Sequence, residues 1–323
     1  AVTSSAVIAE ILRTEPWSGM GEVAQPGFWE RTLLRGEDCL VRAGGELTED
    51  PEEIRLQLVR MCVSREDRIQ ALALTYLTLA DVIDIRKRMI GSGLIGGKAV
   101  GMLLARAMLR NGDERFSRLL EIHDSFYVGS DVFYTFLVRN GIWRARRKQY
   151  NPDTFLEGAE EARQVIVTGR FPDYIVRQFE SMLDYFGQSP YIVRSSSLLE
   201  DNYGNSFAGK YDSIFCTNQG SRRVRMQELL AAVRRVYAST MGEEALTYRA
   251  RRNLLNQDEQ MALLIQRVSG AMHGRYYYPQ AAGVGFSFNP YVWSEYIDPK
   301  AGVVRLVFGL GTRAVDRSDD DYT

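Results

Sequence analysis

The order of the secondary-structure signals constrains the fold of this chain more than any other feature of its sequence. Residues 1–90 carry apolar side chains at spacings of three and four residues, and this spacing predicts helices without a strand. Further helices are predicted at 131–140, 153–168, 172–185 and 225–254. Short β-branched and aromatic runs predict strands at 125–130, 191–193, 211–215, 261–268, 281–288 and 302–309. The predicted order is therefore helices, then a mixed region, then mostly strands. This order is typical of an α+β fold rather than of a regular βαβ repeat.

Composition excludes several classes of function. With 323 residues, 45% of them hydrophobic and 25% charged, the chain has the profile of a soluble globular protein with room for two domains. Its formal charge of −1 gives no basic field for bulk nucleic-acid binding, and we expect the basic run at 144–148 to be a solvated surface. The longest apolar stretch, 71–83, is interrupted by polar residues and too short to span a bilayer.

The small number of cysteines and histidines argues against zinc sites, disulfides and histidine-based triads. Three cysteines without a C-x-x-C pair predict neither a zinc site nor a disulfide framework, and only two histidines make a Ser-His-Asp mechanism improbable. We therefore expect a reducing, cytoplasmic compartment. The first residues lack the basic region of a signal peptide and an initiator Met, so we also expect an excised piece of a longer protein.

A glycine-rich segment with one lysine, Gly96-Gly97-Lys98, stands just before a predicted helix. Backbone N–H groups at a helix start, with a lysine nearby, suit a phosphate. A P-loop would need Gly and a hydroxyl residue where this chain has Ser92 and Ala99. Gly91, Gly93 and Gly96 also match the G-x-G-x-x-G dinucleotide pattern, but that pattern must follow a strand, and the residues before it are charged and predicted to be helical. A flexible turn between two helices remains the alternative.

A second candidate site is a strand that ends in a fixed positive charge and three hydroxyls. Arg194 and the serines at 195–197 directly follow the apolar run 191–193. A guanidinium offers a planar fork of donors to phosphate oxygens, and hydroxyls add neutral donors. Two alternatives remain open, since Arg194 could form an ion pair with Glu200 or Asp201, and the serines could cap a helix.

Taken in order, these segments resemble one protein family. The matching segments are Gly96-Gly97-Lys98, then Val193-Arg194-Ser195-Ser196 with Glu200-Asp201, then Ser206-Phe207-Ala208-Gly209, then a strand with Gln266 near its end. The stretches 123–141, 281–290 and 307–315 are similar to further segments of the same family. The sequence resembles the N-terminal nucleotide-binding region of phosphoenolpyruvate synthase and pyruvate phosphate dikinase over about residues 91–323.

The resemblance implies a fold and a set of site residues. It implies an ATP-grasp-like fold with ATP between two α+β lobes over 91–323, preceded by a helical N-terminal extension at 1–90, with the C-terminal part of the domain beyond residue 323. Lys98 and Arg194 would contact the phosphates as catalytic groups. Gln266 would lie near the adenine, unless it is only a residue at a sheet edge. The residues implied in nucleotide binding are Gly96, Gly97, Lys98, Arg194, Ser195, Ser196, Gly209, Ser213 and Gln266, with Gly209 and Ser213 in a loop over the phosphates.

The resemblance also implies a phosphotransferase of the pyruvate, water dikinase kind that uses ATP and Mg²⁺. Phosphate would pass from ATP to a histidine on another domain and then to pyruvate or another acceptor. Neither His123 nor His273 has the family's Thr/Ser-His-Ala setting, and the family's acidic metal ligands would follow residue 323. The partners expected are therefore ATP and the phosphohistidine and pyruvate-binding domains of a longer chain. A non-catalytic nucleotide-sensing or scaffolding module is the alternative.

Overall fold

A computed structural model of the chain describes residues 27–41, 50–121, 123–200, 209–311 and 314. The chain divides into two compact units, residues 1–267 and 268–323. The first unit holds the candidate site residues. None of the helices in these described ranges is both long and apolar enough to cross a membrane.

A five-stranded sheet forms the centre of the first unit. Its strands are β1 (Met89–Ile90), β2 (Ser125–Val128), β3 (Tyr191–Ser197), β4 (Ser213–Cys216) and β5 (Met261–Arg267), arranged in the order β1-β2-β5-β3-β4. Only β1 and β2 run parallel, and the remaining neighbours are antiparallel. Because helices and strands are mixed without a βαβ repeat, the predicted α+β class is confirmed.

Twelve helices are described in the first unit. They are α1 (Phe28–Val41), α2 (Pro51–Leu58), which continues as a π-helical turn (Val59–Val63), α3 (Asp67–Tyr76), α4 (Leu79–Lys87), α5 (Gly97–Gly112), α6 (Glu114–Leu119), α7 (Ser130–Arg139), α8 (Trp143–Lys148), α9 (Ala159–Thr168), α10 (Asp173–Phe186), α11 (Arg222–Ser239) and α12 (Glu243–Arg251).

The sheet lies between two helical layers. On one side, Tyr127 and Leu264 of the sheet belong to an apolar cluster with α5 and the helices that precede it. On the other side, Val193 and Ile265 belong to a second cluster with α7, α10 and α11. Burial of apolar side chains on both faces explains why the central strand β5 is a nearly continuous apolar run.

Three boundaries differ from the sequence predictions. The helix predicted over 225–254 is two helices, because the chain leaves α11 after Ser239 and Gly242 precedes α12. Residues 65–89, whose apolar spacing predicts one helix, also form two, because α3 and α4 are separated where Thr78 and Asp81 form a reciprocal capping box. Residues 1–90 were expected to lack a strand, but Met89 pairs with Tyr127 in β1. A two-residue strand is too short to show any periodicity.

The second unit contains two small antiparallel hairpins. Its strands are β6 (Ala271–His273), β7 (Tyr276–Tyr278), β8 (Ala281–Phe286) and β9 (Val303–Phe308), paired as β6-β7 and β8-β9. The last two confirm the strands predicted from the sequence. On β9, Val304, Leu306 and Phe308 alternate with less exposed residues and lie on its exposed face.

Candidate functional site

The start of α5 lies directly against the end of β3. Gly96 has a positive φ of 82°, and a Cβ there would lie 1.4 Å from the backbone oxygen of Ser196. A Cβ at Gly97 would lie 2.3 Å from the backbone oxygen of Glu200. These two glycines are therefore required for a close backbone approach, which here is to the protein's own chain.

Lys98 is fixed at this junction. Its Nζ donates to Ser195 Oγ at 2.8 Å and forms an ion pair with Glu200 Oε1 at 2.5 Å. Ser195 Oγ donates to the same Glu200 oxygen at 3.0 Å, and the backbone N–H of Ser197 donates to Oε2 at 2.9 Å. The Lys98 side chain is 24% exposed and that of Glu200 only 2%, so the cation lies on the solvent side of a buried carboxylate.

The surroundings of Glu200 act on its pKa in opposite directions. Burial raises the pKa, because it disfavours the charged carboxylate. The Lys98 ammonium lowers it, as do hydrogen bonds from Lys98, the Ser197 N–H and the Ser195 hydroxyl. The effect of burial is larger, so the pKa lies above its ordinary value. Lys98 is the positive charge that favours the ionised form of this buried group.

Ser196 connects β3 to α5 through its hydroxyl. Its Oγ donates to the backbone oxygen of Ile95 at 2.8 Å and accepts from the backbone N–H of Ala99 at 3.1 Å. Ser195–Ser197 all lie in β3, so they do not cap a helix that follows them in the chain. Ser196 instead caps the first turn of α5 from a neighbouring strand.

Arg194 extends from the same strand and contacts β5. Its Nη1 donates to Gln266 Oε1 at 3.3 Å, and Gln266 Nε2 is 3.0 Å from Met102 Sδ and 3.4 Å from Ser125 Oγ. Since β5 is the middle strand of the sheet, the alternative that Gln266 is a sheet-edge residue is wrong. Glu200 forms its ion pair with Lys98, contrary to the alternative in which Arg194 is its partner.

Of the remaining predicted residues, Ser213 lies beside Arg194, Gly209 follows a gap in the described chain, and four others lie outside the described ranges. Ser213 is the first residue of β4 and is the register partner of Arg194. Gly209 begins the described chain after a gap, with a positive φ of 71° and open space where a Cβ would be. Asp201, Ser206, Phe207 and Ala208 lie outside the described residues. Apart from Gly209, the predicted site residues in the described ranges thus form one group around Lys98 and a second around Arg194.

One buried group, Glu259, does not stand out in the sequence. Ser197 Oγ donates to one of its carboxylate oxygens and the Tyr211 hydroxyl donates to the other. Its side chain is fully buried. Glu259 therefore holds both ends of the segment between β3 and β4. Its hydrogen-bond partners are 62 and 48 residues away in sequence, so no local pattern could identify them. The sequence near Glu259 shows only an acidic residue shortly before an apolar strand.

Comparison with known proteins agrees with the family resemblance. The model of the family described as pyruvate phosphate dikinase, AMP/ATP-binding domain, matches residues 92–323. A rifampicin phosphotransferase from Streptomyces sp is 31% identical over 49% of this chain and 16% of its own length. A rifampicin phosphotransferase from Bacillus cereus is 23% identical over 71% of this chain and 24% of its own length. A phosphoenolpyruvate synthase from Aeropyrum pernix is 24% identical over 68% of this chain and 25% of its own length. The matched region thus spans a quarter or less of each of these relatives.

Proposed function

Because the chain belongs to the family of pyruvate phosphate dikinase AMP/ATP-binding domains, we propose that Lys98 and Arg194 bind the phosphates of ATP. The observation that carries the proposal is the Lys98 ammonium, which is fixed by Ser195 and Glu200 at a glycine-flanked helix start. A cation held in place and still 24% exposed can meet a phosphate without first being ordered. The start of α5 adds the positive end of a helix dipole.

Arg194 would supply the second phosphate contact. It is partly exposed and is bound by a neutral amide, Gln266, so its positive charge is available for a phosphate oxygen. In the proposed arrangement Gln266 lies near the adenine, and Gly209 and Ser213 belong to a loop over the phosphates. The two-lobed ATP-grasp-like arrangement, with 91–323 as the nucleotide-binding domain and 1–90 as a helical N-terminal extension, is part of the same proposal.

The proposed reaction is phosphoryl transfer. ATP would give a phosphoryl group to a histidine nitrogen on another domain, and the phosphohistidine would give it to pyruvate or another acceptor. The relatives' names, rifampicin phosphotransferase and phosphoenolpyruvate synthase, support this class of reaction and leave the acceptor open. Lys98 and Arg194 would act by positioning ATP and neutralising charge on the phosphates, without forming a covalent bond.

The described residues do not fit a metal site of their own. They contain no group of three or more His, Cys, Asp or Glu side chains that could hold a metal ion. The Glu200 carboxylate, which lies nearest to Lys98, is already used by an ammonium and a backbone N–H. Mg²⁺ therefore enters the proposal only as the ion that accompanies ATP, and no step is assigned to residues that would bind it.

Titration calorimetry with a series of adenine nucleotides tests the proposal. Affinity should rise from adenosine through AMP and ADP to ATP, because each added phosphate gains charge-assisted hydrogen bonds worth roughly 1.5–3 kcal/mol. If the nucleotides bind with affinities that do not depend on the number of phosphates, the proposed roles of Lys98 and Arg194 are contradicted. Absence of any ATP binding by the folded chain would contradict the function as a whole.

A further inference from the structure

The ion pair between Lys98 and Glu200 creates a conflict when a phosphate arrives. The ammonium would then have two negatively charged partners, and one of them is a carboxylate that is 98% buried and receives no other cation in the described contacts. A buried charge that loses its countercharge costs several kcal/mol, and such groups usually become neutral instead. A phosphate that shares the ammonium therefore weakens the countercharge on which the buried carboxylate depends.

We propose that Glu200 is a positioning residue that exchanges with ATP: it holds Lys98 in the empty protein, and it takes up a proton when the ammonium turns to a phosphate. This inference rests on the proposed function, because it requires that Lys98 bind phosphate. Lys98 keeps its three protons throughout. The proton on Glu200 comes from water, so a carboxylate becomes a neutral carboxylic acid and one positive charge is gained at the site.

Charged and hydrogen-bonding groups face Glu200 from several elements. From α5 it faces Lys98, and from β3 it faces the Ser195 hydroxyl and the Ser197 N–H. Tyr211 is close enough for the negative charge of Glu200 to raise the pKa of its phenol, although burial and Glu259 act more strongly. On the side of α3, Glu200 is one of the residues that line a cavity of about 290 Å³, which is also lined by Glu66 and Arg68, whose charges are opposite.

After protonation the site can still satisfy its hydrogen bonds. The neutral acid can keep one oxygen as acceptor for the Ser197 N–H, which lies at 2.9 Å. Its new O–H can donate to Ser195 Oγ, which lies 3.0 Å from the other oxygen. The Ser195 hydroxyl then accepts from Glu200 instead of donating to it, so its own proton is released and would donate to a phosphate oxygen, as the Lys98 ammonium does.

The direction of the pH dependence follows from the two states. The pKa of Glu200 already lies above its ordinary value in the empty protein because of burial, and only Lys98 and three hydrogen bonds oppose this. Bound phosphate withdraws the Lys98 charge and adds negative charge, so the pKa is higher still in the complex. Between the two pKa values, binding takes up a proton, and ATP affinity falls as pH rises through this interval.

Calorimetry in several buffers tests the inference directly. A nonhydrolysable ATP analogue is titrated into wild type and Glu200→Gln at one pH, in buffers that differ in ionisation enthalpy. The slope of observed heat against ionisation enthalpy gives the number of protons taken up. Wild type should take up more protons per bound analogue than the variant. The difference should approach about one proton at a pH between the two pKa values of Glu200. Protonation of the analogue itself is common to both proteins and cancels. Equal proton numbers at all pH values would overturn the inference.

A second measurement does not depend on the variant. Infrared difference spectra of wild type with and without the analogue should show the C=O stretch of a protonated carboxylic acid only in the complex, and adenosine should not produce it. Binding of the analogue without this band and without proton uptake contradicts the exchange and leaves the proposed function intact. Failure of folded wild type to bind the analogue contradicts the proposed function, and the exchange with it.

Discussion

Gly96 determines how closely α5 can approach β3. Its φ is positive, and the backbone oxygen of Ser196 occupies the place of a Cβ. The neighbouring hydroxyl of Ser196 then reaches the Ala99 N–H, and Lys98 reaches Ser195. The position of the Lys98 ammonium thus depends on a residue that has no side chain.

Gly96→Ala should destabilise the protein strongly. The backbone of Gly96, with φ 82° and ψ 169°, is a conformation that costs a non-glycine residue roughly 1–3 kcal/mol, and the two backbones must also move apart. Gly101→Ala is the matched control in the same helix, since it has open space around its Cβ and should gain up to about 1 kcal/mol from helix propensity. Denaturant unfolding measures both. Equal stability of the two variants would contradict the close approach.

Glu259 is a second residue on which local structure depends. Glu259→Ala removes the acceptor shared by Ser197 and Tyr211, and hydrogen bonds to a charged group are worth about 1.5–3 kcal/mol each. We expect the free energy of unfolding to fall by about 3 kcal/mol or more. Glu66→Ala is the control, because Glu66 is exposed and its side chain does not cap α3. A loss no larger than in this control would show that Glu259 does not anchor the segment.

At the scale of elements, the helices before residue 90 share an apolar cluster with the sheet. Ile54 of α2 and Ile83 of α4 are buried in the same cluster as Leu103 of α5 and Leu264 of β5. Gly36 of α1 lies against Ile54 and Ile83. Because large apolar side chains are buried across this boundary, we expect α2, α4 and β5 to unfold together.

Ile54→Ala tests this cooperativity. Deleting a buried isoleucine side chain costs about 2–5 kcal/mol, and we expect the amides of β5 to lose hydrogen-exchange protection by the same free energy. Leu40→Ala, at a side chain that is 42% exposed in α1, should change protection by less than about 1 kcal/mol. Unchanged protection in β5, with loss confined to α2–α4, would show that the helices unfold independently.

What the sequence could predict depended on the range of the interactions. Apolar periodicity predicted α10, β3 and β5 because burial repeats along each element. Arg194 and Lys98 stood out as cations beside hydroxyls or glycines. The pairing of Lys98 with Glu200 was not predicted, since it joins residues 102 apart in sequence. The position of Gln266 in the middle of the sheet was also missed, because strand order is a tertiary property.

At the scale of the whole molecule, the family match begins close to the glycine segment and runs through both compact units. Residues 92–323 match the AMP/ATP-binding domain, and the predicted site residues from Gly96 to Gln266 lie within the first unit. The three relatives compared are at least about four times as long as the regions that match them. Under the proposed function, activity on an acceptor should therefore be measured in a chain that also carries the proposed phosphohistidine domain.

The affinities of Arg194→Lys for ATP and for adenosine test the central claim most directly. Lysine keeps the positive charge and loses the two-pronged donor geometry, so ATP affinity should fall about tenfold or more while adenosine affinity stays unchanged. Arg147→Lys, at an exposed arginine outside the site, should alter neither affinity. If Arg194→Lys lowers the ATP and adenosine affinities by the same factor, Arg194 does not bind the phosphates and the account is contradicted.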